Sequence, residues 1–193
     1  KALPLHLACA FEASLDVVEF LHGHNIKAIE TPRIDGALPI HLASAFYKGE
    51  PSVLNFLIDK YPKSANQLCN SLSWSPLHSS CHGGVADVAI LKRMHELAPS
   101  IIGLQDRHGR TPLHLACRSR NGNEKAIEFL VRAAPDSLMV HDGFDQWTPL
   151  FLACIHQNAE TIETLLDLIP QVAPHGVVDP NTNHGPASIL HWA

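Results

Sequence analysis

A six-residue phrase returns along the chain at a nearly constant interval, and a period of that length restricts the fold to a stack of small repeated units. The copies read Leu3-Pro4-Leu5-His6-Leu7-Ala8, Leu38-Pro39-Ile40-His41-Leu42-Ala43, Ser75-Pro76-Leu77-His78-Ser79-Ser80, Thr111-Pro112-Leu113-His114-Leu115-Ala116 and Thr148-Pro149-Leu150-Phe151-Leu152-Ala153. Their prolines are separated by 35, 37, 36 and 37 residues. A partial sixth copy, Ser188-Ile189-Leu190-His191-Trp192-Ala193, puts Ile189 where proline is expected.

Each unit carries a second signature, an apolar stripe at helical spacing about half a period after the proline. The stripes include Val17, Val18, Phe20 and Leu21, then Val53, Leu54, Phe56 and Leu57, then Val88, Leu91 and Met94. They continue as Ile127, Phe129 and Leu130, and as Ile162, Leu165, Leu166 and Leu168. Pro62, Pro99 and Pro135 stop three of these segments, each 23 residues after its own motif proline, and Pro170 comes at 21 in the fifth unit. Every unit is thus expected to hold two short helices. The first starts at the motif, where Thr or Ser can cap free amides and proline takes the first helical position, whose N–H needs no partner. Leu3 and Leu38 lack the capping oxygen, an expected loss of about 1 kcal/mol each. Turn-rich stretches such as Asp35-Gly36, Asp106-Arg107-His108-Gly109 and Asp142-Gly143 separate the units.

These residues resemble the ankyrin-repeat family. The segment Asp106-Arg107-His108-Gly109-Arg110-Thr111-Pro112-Leu113-His114-Leu115-Ala116 matches the family's turn-plus-motif pattern at every defining position. A tetratricopeptide array is the nearest rival, but it sets Trp, Gly and Tyr where this chain has Pro, Leu and His. The resemblance implies a mainly α fold, an ankyrin-repeat solenoid of helix-turn-helix units joined by β-hairpin-like loops. It divides residues 1–193 into one array, with units near 1–32, 33–69, 70–105, 106–142 and 143–182 and a partial unit 183–193. The chain reads as a segment of a longer protein, with apolar faces at its two ends that further repeats would cover. Pro4, His6, Pro39, His41, Pro76, His78, Pro112, His114 and Pro149 are the structural motif residues.

Three departures from the family pattern carry expectations. The period exceeds the usual one by a few residues, which fall between the helices (Lys48-Gly49-Glu50-Pro51, Asn121-Gly122-Asn123) and after the second helix. The third unit has Ser79-Ser80 for Leu-Ala, then Gly83-Gly84, and Arg93 where its neighbours have Phe56 and Phe129. Losing one Leu-sized burial costs about 2 kcal/mol and each helix glycine about 1, so this unit is expected to be the softest interior segment. Phe151 replaces the motif histidine in the fifth unit, so the family's histidine-to-backbone hydrogen bond is expected to be missing there.

Several chemistries find little support. The net charge of −5, from 19 acidic and 14 basic residues without a block of either sign, leaves no footprint for nucleic acid or anionic lipid. No stretch approaches the roughly 20 apolar residues of a spanning helix. The five cysteines, an odd number in a chain long enough to build a core, suit reduced thiols and an intracellular setting, cytoplasmic or nuclear. His6 with Cys9, His78 with Cys81 and His114 with Cys117 share a spacing that suggests zinc. Helices of adjacent repeats, however, lie about 8 to 10 Å apart, too far for two such pairs to converge on one ion. Repetition explains the pattern better. Most other histidines fall in loops or on polar helix faces. No catalytic residue, cofactor or metal is assigned, and the chain is not expected to be an enzyme.

The expected role is a protein–protein interaction scaffold, monomeric, binding through the concave face of turn tips and first helices that the resemblance implies. The position two before each motif proline is variable in the family and here holds Ala37, Trp74, Arg110 and Trp147. Trp and Arg are frequent interface anchors. Around them come Ile34, Asp35, Leu72, Arg107, His108, Phe144 and Gln146 from the turns, with Phe46, Tyr47, His82, Arg118, Arg120 and His156 from the first helices. The alternative for each Trp is simple packing that stiffens its turn. A second functional reading makes the segment the targeting or regulatory arm of a larger enzyme, channel or ubiquitin-pathway protein.

Overall fold

The computed structural model describes residues 2–47, 51–83, 87–120 and 123–172, with residues 171 and 172 as backbone alone. The partial copy at 183–193, Gly84 and most of the Lys48-Gly49-Glu50-Pro51 and Asn121-Gly122-Asn123 loops lie outside the described residues. The described residues form ten α-helices: α1 Pro4–Ala10, α2 Leu15–His24, α3 Pro39–Phe46, α4 Ser52–Lys60, α5 Pro76–Gly83, α6 Val88–Leu97, α7 Pro112–Arg118, α8 Glu124–Ala133, α9 Pro149–His156 and α10 Ala159–Val172. Every odd-numbered helix begins at a motif proline. Among the described residues the segments between repeats are turns rather than strands.

Packing gathers these helices into two compact units, residues 1–101 and 102–193. In the first, α1, α3 and α5 lie side by side, and α2 meets α4 behind them. In the second, α7 packs on α9 and α8 on α10. The residue after each motif proline, Leu5, Ile40, Leu77, Leu113 or Leu150, is buried in every repeat. Burying a side chain of this size stabilises by about 1.5–3 kcal/mol. Small residues four positions after the proline (Ala8, Ala43, Ser80, Ala116, Ala153) are buried as well and let neighbouring first helices approach. Cys9, Cys81 and Cys117 fill the next position as buried apolar groups, and burial pushes the Cys9 thiol up to about 12.

The second helices stop where a proline follows. Tyr61, Ala98 and Ala134 leave helical geometry with φ of −143, −146 and −146, and a 3₁₀ turn starts at the next residue. The fifth repeat differs, because α10 runs through Pro170. A proline this close to a helix end forfeits one N–H bond without terminating the segment.

The turns share one backbone device. The residue three before the motif proline has positive φ in each described turn: Gly36 at 78, Ser73 at 57, Gly109 at 73 and Gln146 at 57. Adjacent turns are also hydrogen-bonded, Asn70 N–H donating to the Asp35 carbonyl at 2.8 Å and Gly143 N–H to that of His108 at 2.7 Å. A Cβ on Gly36 would come within 2.5 Å of the Asn70 nitrogen. A side chain in this left-handed region costs about 1–2 kcal/mol, from which glycine's extra chain entropy of about 0.5–1 is subtracted. Ser73→Gly is therefore expected to raise the unfolding free energy by up to about 1 kcal/mol. Gln146→Gly should gain less, because the Gln146 amide donates to the Asp142 carbonyl at 3.0 Å. Urea unfolding of each variant measures this, and a loss of stability in Ser73→Gly would show that its turn carries no such strain.

The third repeat has its own packing. Ser79 and Ser80 are buried, and Gly83 ends α5 against the backbone of Ala45 in α3. Arg93, in the place of a phenylalanine, donates to Asn55 Oδ1 at 2.6 Å and pairs with Asp59, tying α6 to α4 through polar groups. Both partners are partly exposed, so the pair is worth at most about 1 kcal/mol.

Candidate interaction surface

The motif histidine fixes the main chain on which the candidate surface is built. In α7, His114 Nδ1 accepts the Thr111 backbone N–H at 3.0 Å and lies 2.9 Å from the Thr111 hydroxyl. Nδ1 must then be unprotonated, and Nε2–H donates to the Trp147 carbonyl at 3.2 Å. His41 repeats this: Nδ1 accepts Leu38 N–H at 3.1 Å, and Nε2 faces the Gln67 and Trp74 carbonyls at 3.1 and 3.2 Å. Burial, the largest influence, holds both rings down at about 4, so they are neutral at pH 7. His6 keeps the Nδ1 bond to Leu3 N–H at 3.2 Å, although its buried Nε2 has no partner at hydrogen-bond geometry among the described residues. His78 is held by Ser75, whose hydroxyl lies 2.9 Å from Nδ1. Leu3 and Leu38 thus retain half of a capping box despite lacking a capping oxygen, because the histidine supplies the other half. In the fifth repeat, Phe151 stands in the histidine's place. There Thr148 Oγ1 caps the Phe151 N–H at 3.2 Å.

This arrangement separates two jobs at the position two before the proline. Its carbonyl is scaffold: that of Trp74 also closes its turn by accepting Cys69 N–H at 2.9 Å, and that of Trp147 accepts Asp142 N–H at 3.0 Å. Any residue can supply a carbonyl, so the side chain is free to vary.

In the first unit, Ile34 is 90% exposed at a turn tip. Asp35 pairs with Arg33 at 3.0 Å and accepts the Ala37 N–H at 3.1 Å, while Ala37 itself is buried. Leu72 is half-buried. The half-buried Trp74 ring sits 4.8 Å from the exposed His82 ring, down its own helix α5, and Phe46 is exposed on α3. Tyr47 leaves this face. It is buried, with its hydroxyl donating to the Ala13 carbonyl, because the backbone turns extended at the end of α3 and swings it toward the α1–α2 connection.

In the second unit, Arg107, Arg118 and Arg120 are exposed on the turn before α7 and at its end. The His108 and Phe144 rings lie 4.9 Å apart across adjacent turns, with Phe144 70% exposed. Trp147, 37% exposed, rests on Phe151 at 5.4 Å, and His156 is half-buried further along α9. Gln146 is exposed, its amide tied to the Asp142 carbonyl. Arg110 is engaged inside its turn. Its Nε and Nη2 donate to Asp106 Oδ2 at 3.1 and 2.9 Å, and its side chain is only 16% exposed.

Two kinds of turn and helix support escaped the sequence reading. Asp106 Oδ1 accepts the N–H groups of His108 and Arg110 at 2.8 and 3.0 Å, and Asp142 Oδ1 those of Phe144, Asp145 and Trp147 at 3.3, 3.1 and 3.2 Å. Gln157 Nε2 donates to the Cys117 and Ser119 carbonyls at 2.6 and 2.8 Å, satisfying the end of α7. Gln157 and Tyr47 both lie eight residues after their motif prolines. Aligning the copies beyond the six-residue phrase would have exposed that shared bracing position.

Among the described residues no three His, Cys, Asp or Glu side chains gather to hold a metal ion, and no helix is long and apolar enough to cross a membrane. The family model for ankyrin repeats, in three copies, matches residues 40–139. Human transient receptor potential cation channel subfamily A member 1 is 28% identical over 162 residues, covering 77% of this chain and 13% of that protein. Human B-cell lymphoma 3 protein is 29% identical over 137 residues, 69% of this chain and 29% of its own length. The chain therefore spans less than a third of either relative.

Proposed function

The chain belongs to the ankyrin-repeat family, and on that premise we propose that it is an interaction scaffold binding another protein through its turn tips and first helices. Ankyrin repeats mediate protein–protein interaction. The observation that carries the reading is the division of labour before each motif proline: the carbonyl of Trp147 is bonded into the scaffold while its ring lies exposed on Phe151. Aromatic side chains on such positions are frequent binding anchors. The reading is non-catalytic and cofactor-free, with an intracellular, monomeric array that takes neither nucleic acid nor membrane as its partner.

The test begins with a stoichiometric partner recovered on the immobilised chain and then compares Trp147→Ala and Trp74→Ala. Trp147→Ala is expected to weaken capture at least about tenfold while changing stability by under about 1 kcal/mol. Trp74→Ala should cost more stability, because its ring is half-buried. Large stability losses with undiminished capture would defeat the reading.

A second reading, in which the array is the targeting arm of a larger protein such as a channel, draws on the small share of both relatives that the chain covers. The sequence of the full gene product discriminates the two.

A further inference from the structure

Although the chain is net acidic, charge in the second unit is unevenly divided among its elements. The second helices α8 and α10, with the 3₁₀ turn Pro135–Met139, carry Glu124, Glu128, Asp136, Glu160, Glu163 and Asp167 against the two cations Lys125 and Arg132, the latter paired with Glu128. The turns and first helices carry instead Arg107, Arg118 and Arg120, all exposed and none in an ion pair with a described residue. Two nearby carboxylates are spent: Asp106 and Asp142 are buried and accept turn N–H groups, Asp106 also holding Arg110. Asp145 is the one exposed carboxylate between residues 106 and 157 on these elements. The helix α7 is seven residues, about 10 Å, and the three arginines flank it, Arg107 in the turn five residues before it, Arg118 at its end and Arg120 two residues beyond. Beside them lie two aromatic pairs, His108 with Phe144 and Trp147 with Phe151.

We propose that this face takes an acidic protein segment, its carboxylates meeting Arg107, Arg118 and Arg120 and an aromatic or large aliphatic side chain seating on the Phe144 and Trp147 rings. The proposal rests on the protein-binding reading above and names its partner chemistry. Arginine suits carboxylates because its planar fork donates to both oxygens. Exposed charges of this kind act mostly on association rate and salt dependence, whereas the aromatic platform acts on residence time. A nucleic acid would also present anions and flat rings, but its charge is dense and continuous. Three arginines around α7, with Asp145 on the following turn and second helices that are acidic only on balance, match spaced carboxylates better.

The test is a random-peptide display selection on the 193-residue chain. Recovered peptides should be enriched in Asp and Glu around an aromatic or leucine residue. Their binding should weaken about tenfold between roughly 0.05 and 0.5 M salt. The triple variant Arg107→Glu, Arg118→Glu, Arg120→Glu should weaken it about thirtyfold and flatten the salt dependence, with the milder Arg→Gln triple in the same direction if the first is unstable. Trp147→Ala should weaken it about tenfold and leave the salt slope unchanged. Neutral or basic peptides lost on Trp147→Ala would overturn the acidic partner and leave the protein-binding reading standing. Peptides indifferent to every one of these substitutions would overturn both. Tighter, arginine-dependent binding of a single-stranded oligonucleotide than of any selected peptide would overturn the proposal in favour of nucleic acid.

Discussion

Acidification from about pH 6.5 to 5 is expected to strip the protein of several kcal/mol of stability through two buried histidines. The folded rings of His41 and His114 are held at about 4, against 6.5 for the free side chain. Above pH 6.5 both are neutral in both states and their contribution is complete. As pH falls below 6.5 the unfolded chain binds protons that the folded chain cannot accept until about pH 4, so stability falls throughout that window. One pH unit per histidine is worth about 1.4 kcal/mol, which gives about 2 kcal/mol each by pH 5 and about 3 by pH 4. Burial of His6 acts in the same direction.

The measurement is urea unfolding at several pH values for the parent and for His41→Gln with His114→Gln. Glutamine at this helix position can still accept the capping N–H but does not titrate. The double variant should begin less stable at pH 7, having lost two bonds to the Trp74 and Trp147 carbonyls, and should show a distinctly flatter slope between pH 6.5 and 5. An unchanged slope would mean that other groups carry the acid sensitivity.

Gly83→Ala should destabilise by about 3 kcal/mol, at the upper end for overpacking. A Cβ there would stand 2.2 Å from the Ala45 carbonyl oxygen and 3.0 Å from its carbon. Those are main-chain atoms, with no rotamer to escape into, so α3 and α5 would have to separate. Gly23 in α2 is the internal control, since a Cβ there meets nothing within 4 Å. Gly23→Ala should stabilise by about 0.5–1 kcal/mol through helix propensity alone. If both variants were stabilised, the α3–α5 contact would have slack that this geometry does not show.

Gly83 also marks the limit of what can be read from the chain alone. Helix propensity makes it a weak spot, one of the grounds, with Ser79-Ser80 and Arg93, on which the third repeat is expected to be soft. Its packing role depends on a carbonyl in another repeat, which no local pattern reveals. Local signals did well: motif prolines start helices, and the Pro62, Pro99 and Pro135 stops are followed by 3₁₀ turns. Pro170 failed as a stop because it falls in the last turn of α10. Of the candidate surface residues, Ile34, Phe144 and Trp147 are exposed, in keeping with their turn positions, whereas the inward turn of Arg110 and Tyr47 could not be read from position. Their side chains turn inward, Arg110 to Asp106 in its own turn and Tyr47 to Ala13 in the preceding repeat. Bracing of this kind has no sequence period unless whole repeats are aligned.

The interlock of histidine and carbonyl limits how a gene for such a chain can change length. The imidazole of one repeat is completed by the main chain of the next, His41 by Trp74 and His114 by Trp147. A duplication or deletion of one whole period joins a histidine to an equivalent carbonyl whatever side chain that residue bears. A cut at half a period leaves a buried ring nitrogen without its acceptor, at a cost of about 1–3 kcal/mol. Recognition residues can therefore be reshuffled cassette by cassette, while the frame tolerates only integer steps.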